Sequence, residues 1–122
     1  MLKIIQKIFG SKNKNRKVIQ IAVVDIASIC NAKCPFCSRN HMPQKGKLID
    51  IEDFKKIVYK LKNSEYTDIK EFRLYATGEP TLHPKLDEII KISKENFPYV
   101  TLSTNCTNIA KYKESLSIVD HL

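Results

Sequence analysis

Three cysteines crowd into one short stretch of the chain. Cys30, Cys34 and Cys37, in the run Cys-Asn-Ala-Lys-Cys-Pro-Phe-Cys, stand four and three residues apart inside one loop, so three thiolates converge on one centre. Thiolates favour zinc or iron and sulfur. A structural zinc needs a fourth ligand, for which His41 or the distant Cys106 are the candidates, and the spacing supplies no closed four-cysteine set. A [4Fe-4S] cluster on three cysteines instead leaves one iron without a protein ligand, open to a cofactor. The bland alternative is three ordinary loop cysteines, and it fares worst, because free cysteines are usually buried singly and a loop offers three of them no apolar home.

Two further polar segments bear on the same chemistry. In Thr77-Gly78-Glu79-Pro80, glycine permits close approach of the backbone to a ligand, and a fixed carboxylate accepts hydrogen bonds from an ammonium or hydroxyl; alone, the segment also reads as a common turn. Ser103-Thr104-Asn105 offers hydroxyls and an amide that suit either the polar part of a ligand or simple turn formation. Cys106 has three readings, as a fourth metal ligand, a reactive thiol or a small packed residue, and core packing is favoured. His83, beside Pro84, suits a helix cap or the approaches to the site, while His121 motivates no role.

These loops need a scaffold, and the hydrophobic pattern supplies one. Val18 opens VIQIAVVDI, an almost continuous β-branched run of the kind buried on both faces of a parallel sheet. Asp50 then reads as the N-cap of an amphipathic helix to about residue 62, with Ile51, Phe54, Ile57, Val58 and Leu61 on its apolar side. A second strand covers residues 69–76, and a second helix starts at Pro84, carries Leu86, Ile89, Ile90 and Ser93 on one face, and stops before Pro98. A third strand follows at 99–103, then a short helix at 108–114 and the start of a fourth strand at 117–119. Strands alternating with helices of 12 to 14 residues imply an α/β fold with a parallel sheet of about three to four β/α units. Ligands of such sheets bind at the C-terminal strand ends, and all three polar loops lie there.

Composition bounds the rest. The chain has 122 residues, enough for one domain and short of the roughly 250 of a closed (β/α)₈ barrel. The formal charge of +8 is concentrated: Lys3, Lys7, Lys12, Lys14, Arg16 and Lys17 fall in residues 1–17 without an acid, leaving 15 basic against 13 acidic residues in the body. The leader pairs a short amphipathic helix at 2–9 with a basic linker, and the domain proper is 18–122. A nearly balanced body without a concentrated basic and aromatic surface argues against nucleic-acid binding. No apolar run approaches the 18 or more residues of a transmembrane segment, no secretory signal is evident, and clustered cysteines suit a reducing compartment, so the cytoplasm is expected.

Taken together, the motifs resemble the radical S-adenosylmethionine (SAM) superfamily. The resemblance rests on the CxxxCxxC pattern at residues 30–37 with an aromatic residue before the last Cys, on Thr-Gly-Glu-Pro at 77–80, like the family's GGEP, and on Leu-Ser-Thr-Asn at 102–105, like the end of its third strand. Arg-Asn-His-Met after the cysteines and Ala-Thr-Gly-Glu-Pro-Thr-Leu-His-Pro look like the branch of peptide-maturing and molybdenum-cofactor-type enzymes. The resemblance covers about residues 18–110. It implies a [4Fe-4S] cluster on Cys30, Cys34 and Cys37, SAM on the open iron, Phe36 near the adenine, Gly78 and Glu79 at the methionine amino group, and Ser103 and Asn105 at its polar portion. It further implies reductive cleavage of SAM to a 5′-deoxyadenosyl radical, fed by an external electron donor. Two positions depart from the pattern: Thr77 replaces the first Gly of GGEP, and Cys106 stands where Gly often follows Asn. The family's fold is a partial (β/α)₆ TIM-like barrel, of which this chain resembles the first half. The expected reading is therefore the N-terminal half of a radical SAM enzyme, its open sheet edge covered by a second chain or by self-association. The alternative is a noncatalytic iron-sulfur or zinc-binding module.

Overall fold

A computed structural model describes residues 17–42, 45–64 and 67–122; the leader helix expected at 2–9 and nearly all of its linker lie outside them. Three parallel strands, β1 (Lys17–Val23), β2 (Thr67–Arg73) and β3 (Val100–Thr101), form a sheet in the order β1-β2-β3. Helix α1 (Ile51–Lys62) connects the first pair and α2 (Leu86–Asn96) the second, while a shorter α3 (Lys113–Ser117) follows β3. The α/β class and parallel sheet expected from the pattern are present.

The helices form where apolar spacing and capping agree. The Asp50 side chain accepts from the Glu52 N–H at 2.8 Å, with Glu52 and Asp53 at the positive end of α1. Ile51, Phe54 and Val58 are buried on its inner face, and Leu86, Ile89, Ile90 and Ser93 on that of α2. The Ser93 hydroxyl is satisfied by Ile89 O at 2.7 Å. Helix α2 begins two residues after Pro84, with His83 Nδ1 accepting from the Lys85 N–H at 3.1 Å. Phe72 of β2 centres the core, stacked on Phe97 at 4.1 Å between centroids and tilted against Phe54 at 6.3 Å. Contacts of this type add about 1 kcal/mol beyond the area they bury.

The first strand departs from the sequence reading. Its register sets Ile19 beside Ile69 and Ala22 beside Phe72, toward the core, but Val18, Ile21 and Val23 are 52%, 41% and 51% exposed. The buried residues of all three helices join a single core, so one sheet face is covered and β1 is an edge. The uncovered face also carries the Arg73–Glu71 ion pair at 2.6 Å, with Thr101 Oγ1 3.1 Å from Glu71.

The boundaries of β2 and β3 also differ from the expected 69–76 and 99–103: β2 begins two residues earlier and β3 contracts. The β2 ladder ends at Arg73, leaving Ala76 exposed, and β3 pairs with β2 only at Val100 and Thr101. The fourth strand does not start at 117–119: α3 runs to Ser117 because Leu116 is still buried in the core. Pairing begins at Asp120 and His121, where the Leu102 N–H donates to His121 O at 3.0 Å and the Asp120 N–H to Val100 O at 2.9 Å. Asp120 Oδ2 anchors this return, accepting from Lys94 Nζ at 2.6 Å and the Val100 N–H at 2.7 Å.

Candidate functional site

After β1 the chain makes a long excursion whose neck is tied by an antiparallel pairing of residues 26–28 with 47–49. The Ser28 N–H donates to Lys47 O at 2.8 Å, the Ile49 N–H to Ile26 O at 3.0 Å, and the Lys47 N–H to Ser28 Oγ at 2.7 Å. Two glycines press on this neck. A Cβ on Gly46 would lie 2.2 Å from Ser28 O, and one on Gly78 only 1.9 Å from Ala27 O. The Glu79 N–H donates to Ile29 O at 2.8 Å, so the segment 77–80 is bonded to the root of the cysteine loop.

Within the loop all three cysteines are free thiols, Cys30 and Cys37 half-buried and Cys34 exposed. A tight turn sets the last two: the Cys37 N–H donates to Cys34 O at 3.1 Å, and Asn40 Nδ2 to the same carbonyl at 2.7 Å. Phe36 projects fully into solvent. Among the described residues, no three His, Cys, Asp or Glu side chains are grouped tightly enough for a single metal ion. A zinc ion would need the three cysteines to meet at one point with a fourth ligand such as His41 or Cys106. The donor set fits a cluster better, because each thiolate then binds its own iron and three exposed or half-exposed thiols in one loop need not meet at one point.

Glu79 is 2% exposed and is the hub of the neighbouring loops. Its Oε1 accepts from the Thr81 N–H at 3.0 Å, the Thr81 hydroxyl at 2.6 Å and the Thr104 hydroxyl at 2.6 Å; its Oε2 accepts from the Asn105 N–H at 2.7 Å. Burial pushes the carboxyl pKa up, but these donors, led by the Asn105 N–H, outweigh it and hold the group below the usual carboxylate range. Beside it, the Thr77 hydroxyl donates to Asp25 Oδ2 at 2.5 Å. Thr77 thus ties β1's end to the 77–80 segment, while the buried Asp25 Oδ1 has no partner among the described residues.

The third polar segment closes the group. Asn105 Nδ2 donates to Asn31 Oδ1 at 2.8 Å, and Asn31 Nδ2 to Thr107 Oγ1 at 2.9 Å. Ser103 is exposed at the same strand end. Cys106 is exposed too, contrary to the packing expected of it, and its φ of 66° is the only positive value among non-glycine described residues. The chain therefore keeps, on a cysteine, the left-handed turn that glycine would favour, and this turn directs the residue away from the core. His83 is a buried structural residue, its Nε2 2.8 Å from Ile49 O and its carbonyl accepting from the Tyr112 hydroxyl at 2.9 Å. His41 is exposed, and His121 lies outside the site, paired with Thr101 of β3.

The structure thus brings the 30–37, 77–80 and 103–105 segments to one end of the sheet. Sequence reasoning gave no role to Asp25, Asn31, Thr81 and Thr107, whose only signal is their position in or beside the motifs, nor to Gly46, an isolated glycine at the loop's exit.

A sequence model of the Radical SAM superfamily matches residues 24–122. Among curated proteins, the chain is 35% identical over 89 residues to 7,8-dihydro-6-hydroxymethylpterin dimethyltransferase of Methanocaldococcus jannaschii, covering 70% of this chain and 17% of that one. It is 24% identical over 78 residues to GTP 3′,8-cyclase of Chlorobaculum tepidum, covering 64% and 22%. The crystal structure of BtrN in complex with AdoMet and 2-DOIA superposes with a TM-score of 0.67 at 20% identity, over 84% of this chain and 42% of that one. The chain spans about a fifth of the length of these curated relatives.

Proposed function

The chain belongs to the radical SAM superfamily, whose cofactors are a [4Fe-4S] cluster and SAM, and from that premise we propose that it is the cluster- and SAM-binding half of a radical SAM enzyme. When bound, these cofactors supply reductive cleavage of SAM to a 5′-deoxyadenosyl radical. Cys30, Cys34 and Cys37 hold the cluster, and Phe36, free in solvent, is available to lie against the adenine. Gly78 and Glu79 face the methionine amino group: three in-chain donors saturate Oε1, but Oε2 has one and retains room for a ligand donor. Ser103 and Asn105 serve the polar portion of SAM.

The observation that carries this reading is the bonding of three strand ends into one unit around the cysteine loop, through Glu79 to Ile29, Glu79 to Asn105 and Asn105 to Asn31. The reaction draws on an external low-potential electron donor, and the open sheet edge at β1 offers a place for further structure, such as a second chain or a second copy, to complete the SAM cleft. One other reading is a noncatalytic iron-sulfur module, which the same cysteine loop would serve without SAM turnover. Anaerobic reconstitution with iron and sulfide, followed by an assay for 5′-deoxyadenosine with dithionite and SAM, separates the two. Cleavage supports the enzyme, and a cluster inert to SAM supports the module. One tightly bound zinc sinks both.

A further inference from the structure

We propose that Asn105 is a positioning residue for Cys30, fixing that ligand's orientation and making a cluster held there easier to reduce. The inference rests on the cluster-binding reading above. Asn105 Nδ2 lies 2.8 Å from Asn31 Oδ1 and 3.9 Å from Cys30 Sγ, so its two amide hydrogens span the side chain next to the ligand and the ligand itself. The rest of the residue is fixed by other bonds. Its Oδ1 accepts from the Thr107 N–H at 3.1 Å and the Thr107 hydroxyl at 2.8 Å, and its N–H is bound by buried Glu79. Asn31 closes the ring by donating to Thr107 Oγ1. A second donor, the Ala32 N–H, reaches Cys30 Sγ from within the loop at 3.4 Å.

Such a ring does more than shape a turn. It links a residue 75 positions away to one thiolate of the three, and among the described residues neither Cys34 nor Cys37 has a side-chain donor of this kind. A donor at a ligating sulfur withdraws charge from it and stabilises the more negative, reduced cluster, which is how hydrogen bonds to sulfur tune cluster potentials. The amide of Asn105 is therefore placed to ease electron entry from the external donor.

The test is an EPR-monitored redox titration of the reconstituted 122-residue chain, without SAM, for wild type, Asn105→Ala and Asn105→Asp. Both variants should keep the wild-type iron content and titrate at lower potential. The loss expected for Asn105→Ala is about tenfold in the one-electron reduction equilibrium, a shift of about 59 mV. Asn105→Asp, nearly isosteric but placing an anion at the sulfur, should shift further. If Asn105→Ala fails to fold, Asn105→Asp is read alone. A wild-type midpoint in a folded, fully loaded variant overturns the inference while leaving the functional reading intact. A wild-type chain that assembles no cluster overturns both.

Discussion

Glu79 and Asn105 lie 26 residues apart and meet at the strand ends, where the buried Oε2 accepts from the Asn105 N–H at 2.7 Å. This bond joins the turn after β2 to the turn after β3, and the Glu79 N–H carries the connection on to Ile29. A carboxylate with four in-chain donors is first an organiser of loops, whatever its Oε2 later receives from a ligand.

The pH dependence of stability should report this arrangement. Because the folded pKa of Glu79 is lowered, its contribution is fully present above the ordinary carboxylate value of about 4.3 and is lost as pH falls through the folded value. Glu79→Ala leaves the Asn105, Thr104 and Thr81 donors without an acceptor and should cost about 3 kcal/mol at neutral pH. Urea denaturation from pH 7 to pH 3 checks both, with Glu79→Gln expected to show a shallower acid loss than wild type.

Gly78 should tolerate no side chain. A Cβ there meets backbone, Ala27 O at 1.9 Å and Ile29 O at 2.5 Å, so Gly78→Ala must push the 77–80 segment off the root of the cysteine loop. The expected loss is about 3 kcal/mol. Reduced iron uptake should accompany it, measured as iron per chain after reconstitution.

Cys106 should improve when it is replaced by glycine. Its φ of 66° costs a side-chain-bearing residue roughly 1–2 kcal/mol, against roughly 0.5–1 kcal/mol for glycine's freer unfolded state. Cys106→Gly should therefore gain about 0.5 kcal/mol in thermal or chemical denaturation, and Cys106→Val should lose stability. Since Cys106 stands outside the three-cysteine motif at 30–37, Cys106→Ala should load iron as wild type does.

Much of this arrangement was legible in the sequence because it depends on local pattern. The inner faces of α1 and α2 follow from apolar spacing, with Phe54, Val58, Leu86, Ile89, Ile90 and Ser93 all buried as read. The three motif segments arrive at one end of the sheet because parallel β/α topology puts them there. What could not be read depends on tertiary contact. VIQIAVVDI has the composition of a strand buried on both faces, yet which faces are covered is decided by the number of packed layers, and Val18 and Val23 remain in water. Burial of Leu116 keeps the chain helical through Ser117, where β-branched neighbours suggested a strand. The Asn31–Asn105–Thr107 ring spans 76 residues and has no periodic signature, so only coordinates reveal it. Cys106 misled because a small apolar residue was read for packing when its backbone conformation decides its place.

The central claim is a cluster on Cys30, Cys34 and Cys37 with one iron left for SAM, and the EPR spectrum of the reduced, reconstituted chain with and without SAM tests it most directly. Coordination of SAM at the open iron changes that iron's ligand field, so the predicted result is a [4Fe-4S] signal that shifts on addition of SAM and is absent from Cys30→Ala, Cys34→Ala and Cys37→Ala. A signal indifferent to SAM, or one that survives loss of any of the three cysteines, would contradict it.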